Sequence, residues 1–345
     1  MMTVKAARDE LLRVERIRKH FGKRSRIRKV SRVVHAVDDV SFEIGRGEAL
    51  GLVGESGSGK STIARCVLRL ERVDDGLIYL DGVELTRLGS RGLREIRPRM
   101  QAVFQDPASS LNPRWPIHQV IEEPLRVHGW GAAERRDRVL EVLEEVGLSH
   151  RYLNVLPHQL SGGQQQRAGI ARALVLRPEL IVADEPVSAL DVSIQAQVLN
   201  LLVALKKELR LSYLFISHDL RVTRHLCENV AVCYLGNIVE VGAGDALFTN
   251  PLHPYTASLV SAMPLSVEDA RQRGQTIVLA GDPPSPLEPP SGCRFRTRCF
   301  RAQTQCAEGT PKLEPAGAAH RAACFFPLDP DFLRDRAAGS PGSTG

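Results

Sequence analysis

The sequence predicts an α/β fold whose sheet presents a nucleotide site at the carboxyl ends of its strands. Three observations carry this prediction. A glycine-rich segment at residues 54–61 stands between an apolar strand and a helix. Two later apolar strands end in polar side chains, at Asp184-Glu185 and at His218. Residues 106–160, between these features, have helical periodicity.

The first strand and helix flank a predicted phosphate-binding loop. Residues 49–53 read as a buried strand, and the helix follows from Thr62. Glycines between them let backbone N–H groups surround a phosphate at the positive end of the helix. A glycine-rich turn with a chance lysine is the alternative, which the flanking strand and helix disfavour. The loop comprises Gly54, Glu55, Ser56, Gly57, Ser58, Gly59, Lys60 and Ser61.

The two later strands supply the remaining groups of a magnesium nucleotide site. Lys60 is predicted to reach the β and γ phosphates and Ser61 to ligate magnesium. Asp184 would hold the metal through water, while Glu185 polarises the attacking water. His218 could contact a γ phosphate or that water. Each pattern alone also fits a solvated strand end, and their combination favours the catalytic interpretation.

Together these residues resemble the ATP-binding cassette ATPases of membrane transporters. Residues 160–164 look like the signature motif of that family, Gln105 like its Q-loop residue and Asp191 like the last residue of its D-loop. Phe21 lies where the family places an aromatic that stacks on adenine, although a single aromatic in a strand is also typical of a core. The resemblance implies a phosphate-loop NTPase with a RecA-like core, an antiparallel β subdomain and a helical subdomain.

The resemblance also assigns roles. It implies ATP and Mg²⁺ as ligands, with Glu185, His218 and Gln105 catalytic and the metal held by Ser61, Gln105 and Asp184. The signature residues would contact the ATP of a partner subunit, so two chains would enclose two nucleotides; these residues are Ser161, Gly162, Gly163 and Gln164. The full predicted ATP-binding set is Phe21, Gly54, Glu55, Ser56, Gly57, Ser58, Gly59, Lys60, Ser61, Thr62, Gln105, Asp184, Glu185, Asp191 and His218.

Composition and charge limit the location and the partners. The chain has 345 residues, 43% of them hydrophobic, with no apolar run as long as the roughly 18 to 20 residues of a membrane-spanning helix. Composition therefore predicts a soluble, cytoplasmic protein, and the resemblance implies that it is attached to the cytoplasmic face of a membrane through permease subunits. The net charge of +6 owes much to a basic run. The run comprises Arg16, Arg18, Lys19, Lys23, Arg24, Arg26, Arg28, Lys29 and Arg32. We interpret it as a solvated loop in preference to a surface that binds nucleic acid or lipid headgroups.

The motifs divide the chain into two predicted regions. Residues 1–262 form the nucleotide-binding domain, with a helical subdomain at about 106–162 and a hairpin that turns at Gly236-Asn237. Residues 263–345 form a Pro-, Gly- and Cys-rich C-terminal module that ends in a disordered tail from about Ala337. We expect this module to lie far from the phosphate loop.

Several segments look more specifically like the ATPases of oligopeptide and dipeptide permeases. These segments are residues 105–114, 184–193, 250–256 and 290–299. The sequence of residues 186–193 is closer to the F-type ATPase subunit than to the D-type subunit. This implies a heterodimer with a D-type ATPase, two transmembrane permeases, an extracytoplasmic substrate-binding protein and no nucleic acid. Relatives that carry nickel or glutathione keep the cargo open. The family also implies that residues 105–124 receive a permease helix, with Leu111 and Trp115 as contacts.

Four cysteines of the module form a candidate metal site: Cys293, Cys299, Cys306 and Cys324. Their wide spacing lacks the close pairs of structural zinc sites and leaves metal ligands and free thiols both open. The resemblance favours a [4Fe–4S] cluster, with Zn²⁺ as the alternative. Phe300 departs from the proline that relatives commonly have after the second cysteine. Cys66, Cys227 and Cys233 are predicted to be buried apolar residues.

Overall fold

A computed structural model describes residues 9–22, 33–263, 276–316 and 320–337. Most of the basic run, from Lys23 to Arg32, and the tail beyond Ala337 lie outside these residues. In the described part of the chain, no helix has both the length and the apolar character needed to cross a bilayer.

A four-stranded antiparallel sheet is built from the first 84 residues. Its order is β2-β1-β4-β5, and its strands are β1 (Glu10–Phe21), β2 (Val34–Gly45), β4 (Asp75–Leu80) and β5 (Val83–Glu84). Buried and exposed side chains alternate along much of β2, as expected for a sheet with one face on the core. This sheet matches the antiparallel subdomain that the family resemblance implies.

The main sheet has eight strands in the order β11-β12-β10-β9-β3-β8-β7-β6. Five of them, from β9 to β6, run parallel, and β3, β7 and β8 are almost wholly buried, which suits strands covered on both faces. The strands are β3 (Ala49–Val53), β6 (Met100–Val103), β7 (Leu180–Asp184), β8 (Ser212–Ser217), β9 (Asn229–Tyr234), β10 (Asn237–Ala243), β11 (Glu314–Pro315) and β12 (Arg321–Ala322).

Helices connect and cover these strands. The predicted helix at residues 135–146 appears as α5 (Ala132–Glu145), and its buried Val139, Val142 and Leu143 follow the predicted spacing. The others are α1 (Lys60–Val67), α2 (Ser90–Ile96), α3 (Pro107–Ser110), α4 (Ile117–Val127), α6 (Gly162–Leu174), α7 (Val192–Leu209), α8 (Leu220–Leu226), α9 (Gly244–Thr249), α10 (Pro254–Ser261), α11 (Gln305–Glu308) and α12 (Phe332–Ala337).

The hairpin predicted near Gly236 is formed by β9 and β10, which pair antiparallel. Tyr234 pairs with Asn237, so the two turn residues are Leu235 and Gly236, one position earlier than predicted. Both have positive φ, at 43° and 79°, as a tight two-residue hairpin turn requires.

The C-terminal region packs onto the main sheet instead of standing apart from it. Strand β12 pairs with β10, and the Ala323 N–H donates to Val239 O over 2.8 Å. Buried Glu240 on β10 accepts hydrogen bonds from the backbone N–H groups of Leu252 and His253 and contacts His320 Nε2 at 2.6 Å. One carboxylate thus ties β10 to the start of α10 and to the segment before β12.

Candidate nucleotide site

The phosphate loop connects the buried strand β3 to helix α1, as predicted. Gly54, Gly57 and Gly59 all have positive φ, at 154°, 79° and 100°. A Cβ on Gly59 would lie 2.2 Å from Ala36 O, and one on Gly54 would lie 2.1 Å from Cys233 O. Because both contacts are with backbone, neither position can accept a side chain, and the loop keeps its N–H groups close to the start of α1.

Lys60 reaches across this loop. Its Nζ donates to Gly54 O at 2.8 Å and to Glu55 O at 2.9 Å, and the residue is only 5% exposed. Burial lowers the pKa of Lys60, partly offset by nearby acidic groups that include Glu185 and Asp184. An anion in the loop would give this amine a charged partner in place of two carbonyls.

The magnesium ligands predicted on α1 and β7 are in contact. Ser61 Oγ donates to Asp184 Oδ1 at 3.1 Å. Burial raises the pKa of Asp184, because desolvation disfavours its ionised form. A hydroxyl beside a carboxylate is the oxygen donor set that a hard divalent cation takes, so these residues fit Mg²⁺.

Three residues predicted to be catalytic meet at one oxygen atom. Glu185 Oε2 lies 3.2 Å from Gln105 Nε2 and 3.3 Å from His218 Nδ1. The parallel pairs β6-β7 and β7-β8 cause this meeting, because they bring the carboxyl ends of three strands to one edge. Glu185 has a φ of 48°, which is uncommon outside glycine, and its N–H donates to Ile216 O.

The signature residues begin helix α6. Ser161 is the N-cap: its side chain accepts from the Gln164 N–H, while Gln164 Oε1 accepts from the Ser161 N–H. A Cβ on Gly163 would lie 2.6 Å from Ile194 Cγ2, so this glycine lets α6 approach α7 closely. Among the described residues, no hydrogen bond or ion pair joins residues 161–164 to the phosphate loop.

Phe21 and Asp191 stand outside these contacts. Phe21, the last residue of β1, is 37% exposed, and Lys19 Nζ lies 5.0 Å from its ring centroid. Asp191 precedes α7, and its carbonyl accepts from the N–H groups of Ile194 and Gln195. Their nucleotide contacts stay predictions.

Known proteins with this arrangement are numerous. The family described as ABC transporter matches residues 37–188, and the family described as oligopeptide/dipeptide transporter, C-terminal region, matches residues 239–306. The oligopeptide transport ATP-binding protein AppF of Bacillus subtilis is 47% identical over 93% of this chain and 98% of its own length. OppF of Salmonella typhimurium, which carries the same description, is 48% identical over 87% of this chain and 90% of its own length.

The chain belongs to the ATP-binding proteins of ABC transporters. Its fold agrees with solved cassettes: a dimeric ATP-binding cassette in a post-hydrolysis state, bound to ADP and phosphate, superposes with a TM-score of 0.60. That cassette is 31% identical and covers 68% of this chain and 98% of its own. As a member of this ATPase family, the chain is an ATP-hydrolysing protein.

Two site neighbours in this cassette protein were not identified from the sequence. Tyr255 Oη accepts a hydrogen bond from the Glu55 N–H at 2.9 Å, and Arg298 contacts the Glu55 carboxylate at 3.0 and 3.2 Å. They lie 200 and 243 positions from Glu55, and no local pattern signals such contacts. The expectation that the C-terminal module is distant from the phosphate loop is therefore wrong.

The predicted permease contacts divide into core and surface. Leu111 is 1% exposed and packs in the core with Ile117 and Val120, so its prediction as a surface contact is wrong. Trp115 is partly buried against this core, with Arg126 5.5 Å from its ring centroid. Phe104, immediately before Gln105, is 40% exposed and was not singled out.

The four C-terminal cysteines lie in one neighbourhood. After burial, the nearby thiols of Cys324, Cys293 and Cys306 also raise the pKa of Cys299. The Cys293 N–H donates to Cys306 O. Burial raises the pKa of Cys299 to about 12 and that of Cys324 to about 11. The other three, Cys66, Cys227 and Cys233, are buried as predicted.

A compact group of metal-type ligands occurs elsewhere, at His20, His35 and Asp38, with ligand atoms within 4.8 Å of one another. Asp38 is already paired with Arg18 at 3.4 Å and with Arg294 at shorter range. Two arginines beside the only carboxylate of this group make it a poor cation site. The basic run also differs from expectation: Arg16, Arg18 and Lys19 belong to strand β1 and pair with carboxylates instead of lying in a loop.

Proposed function

We propose that this protein is the ATP-hydrolysing subunit of an importer for oligopeptides or dipeptides. The observation that carries the catalytic part is the meeting of Gln105 and His218 at Glu185, beside the Ser61–Asp184 pair. The proteins that carry the name oligopeptide transport ATP-binding protein support the cargo class. Nickel or glutathione as cargo is the alternative.

The site residues act at different parts of MgATP. The phosphate loop, from Gly54 to Thr62, surrounds the phosphates, and Lys60 turns from the loop carbonyls to the phosphate oxygens. Ser61 and Asp184, with Gln105, hold Mg²⁺, which neutralises phosphate charge when bound. Glu185 accepts the proton of the attacking water, while His218 orients that water or the γ phosphate.

Two subunits complete each nucleotide site. Among the described residues, residues 161–164 form no hydrogen bond or ion pair with the phosphate loop of their own chain, which suits a role on the ATP of a partner. We assign the partner as a D-type ATPase, with Phe21 stacking on adenine and Asp191 among the ATP-binding residues. ATP binding would close the pair and hydrolysis release it, as a shift between two populations.

Attachment to the membrane would come through two permease subunits, which receive substrate from an extracytoplasmic binding protein. The docking surface is placed at residues 104–124 of the helical subdomain, with exposed Phe104 and part-buried Trp115 in place of Leu111. A cassette ATPase that acts on nucleic acid is the competing class. Arg16, Arg18 and Lys19 pair with carboxylates, which lowers the positive charge that these three residues of the run could offer such a partner.

For the C-terminal module, residues 263–345, we propose a [4Fe–4S] cluster held by Cys293, Cys299, Cys306 and Cys324. Zinc at about 2.3 Å from each sulfur would hold the sulfurs about 3.8 Å apart. Among the described residues, no three of these thiols have sulfurs all within 4.8 Å of one another. The Arg301 N–H, 3.4 Å from Cys299 Sγ, is the donor type that stabilises the thiolates of a [4Fe–4S] cluster.

The test of the ATPase proposal is Glu185→Gln in the assembled transporter. ATP binding should persist, and turnover should fall by about 10² to 10⁴, the usual contribution of a general base. Lys60→Ala is the comparison variant, since it should weaken nucleotide binding itself. Undiminished turnover in Glu185→Gln would exclude Glu185 as the base, and tight DNA or RNA binding at physiological salt, without permease association, would exclude the importer.

A further inference from the structure

We infer that the cysteine module positions the phosphate loop, through Arg298 and Tyr255 acting on Glu55, so that the state of the cysteines sets the affinity for ATP. Arg298 and Tyr255 are positioning residues, because they contact the loop and not the nucleotide. The inference rests on the proposed nucleotide and cysteine sites, and it adds a dependence of the first on the second.

Glu55 is held at three points. Its N–H donates to Tyr255 Oη, its carboxylate pairs with Arg298, and its carbonyl accepts from Lys60 Nζ at 2.9 Å. The last contact connects the clamp to the lysine that must turn to the phosphates. A displaced Glu55 therefore moves the first turn of the loop and the resting position of that amine together.

The backbone of Arg298 is held in place within the cysteine segment, residues 293–299. The backbone turns continuously from Cys293 to Cys299: the Arg296 N–H donates to Cys293 O, and the Arg298 N–H donates to Phe295 O. Phe295 is 1% exposed, with its ring centroid 5.4 Å from that of Tyr255 and 5.2 Å from that of Tyr234. The next residue after Arg298 is a proposed ligand, so a bound metal would restrain the arginine directly.

The Arg298–Glu55 ion pair is partly buried, so it is stronger than an exposed ion pair at the surface. The side chains of Arg298 and Glu55 are 10% and 29% exposed, and a charged hydrogen bond in such surroundings is stronger than one in water. Arg294, four residues earlier, adds a second connection to the core through Asp38 and Leu235 O. Arg294 and Arg298 thus connect residues 293–299 to Asp38 and to Glu55 of the phosphate loop.

The experiment measures the dissociation constant for MgATP on the purified full chain. Arg298→Gln should raise it about two- to 150-fold, the range of coupling between contacting residues of one network. Glu55→Gln should do the same, and the double variant should be no weaker than either single one, because one interaction is lost in all three. Arg296→Gln is the control: it removes the same charge from the same segment, but its guanidinium bonds to Ser291 O.

Cysteine loss tests the connection to the metal. Cys299→Ser should remove the bound metal and raise the dissociation constant for MgATP, with no further effect in the Arg298→Gln background. Unchanged ATP affinity in Arg298→Gln, or an equal loss in Arg296→Gln, would overturn the positioning role. Loss of metal from Cys299→Ser with unchanged ATP affinity would overturn the dependence on the cysteines. Failure of the wild-type chain to bind ATP would instead refute the proposed nucleotide site.

Discussion

At the scale of single residues, Glu185 shows how the backbone prepares the site. Its left-handed φ of 48° is a conformation that costs a non-glycine residue free energy. Hydrogen bonding of its N–H to Ile216 O holds this conformation, and the side chain then points to Gln105 and His218. The strain lies at the position that we assign to the general base.

Asp184 gives a pH-dependent prediction. Burial raises its pKa in the folded chain, so its ionised form destabilises the metal-free fold above that pKa, and this penalty disappears as the pH falls through the folded pKa toward about pH 4. Asp184→Asn should therefore raise the Tm of the nucleotide-free chain at about pH 7.5, with a gain that shrinks on acidification. Thermal unfolding across this pH range measures it.

The same scans with MgATP supply the control for Asp184. Wild-type protein should gain more Tm from MgATP than Asp184→Asn, because the variant loses a proposed magnesium ligand. A lower Tm for metal-free Asp184→Asn at neutral pH would contradict the assigned cost of the buried carboxylate.

At the scale of elements, the segment from β6 to α4 combines core and surface positions. Leu111→Ala should lower the free energy of unfolding by about 2 to 5 kcal/mol, because it leaves a cavity in the hydrophobic cluster that buries Leu111. Denaturant titration of the full chain measures this change. Any loss of transport in Leu111→Ala should therefore result from lost stability and not from a lost permease contact.

Phe104→Ala is the matched variant in the same segment. Because Phe104 is exposed, its truncation should change stability by less than about 0.5 kcal/mol. Peptide uptake by the assembled transporter should nevertheless fall while MgATP binding persists. Normal uptake with Phe104→Ala would remove this residue from the docking surface.

At the scale of the whole molecule, the cysteine module predicts a metal content that depends on pH. Anaerobically purified protein should be brown, with about four irons per chain for a cubane cluster. Because the pKa values of Cys299 and Cys324 are raised to about 12 and about 11, metal must displace protons, and its apparent affinity should rise with pH. Elemental analysis and the visible spectrum measure both properties.

Cys306→Ser is the variant for this metal prediction, since it removes a proposed ligand outside residues 293–299 and should lose the colour. Colourless wild-type protein with stoichiometric zinc would select the zinc alternative. Four freely titrating thiols in metal-free protein would refute both metal sites.

The sequence alone predicted the elements whose signals lie within about ten residues of one another. The strands at β3, β7 and β8, the loop glycines and the helix α5 follow from hydrophobic periodicity and backbone sterics. The Leu235–Gly236 turn lay one residue from its predicted place, because residue pairing across the hairpin, and not composition alone, decides which two residues turn.

By itself the sequence determined the chemistry available: a phosphate loop, a magnesium carboxylate, a candidate base and four thiols. Only the tertiary structure decided which of them meet. Leu111 is core because it is buried in the hydrophobic cluster to which α4, α5 and α6 contribute, and Arg298 reaches Glu55 because β12 pairs with β10 and Phe295 packs against Tyr255. The Arg298–Glu55 contact joins residues 243 positions apart, and packing of whole elements creates it, so no local periodicity encodes it.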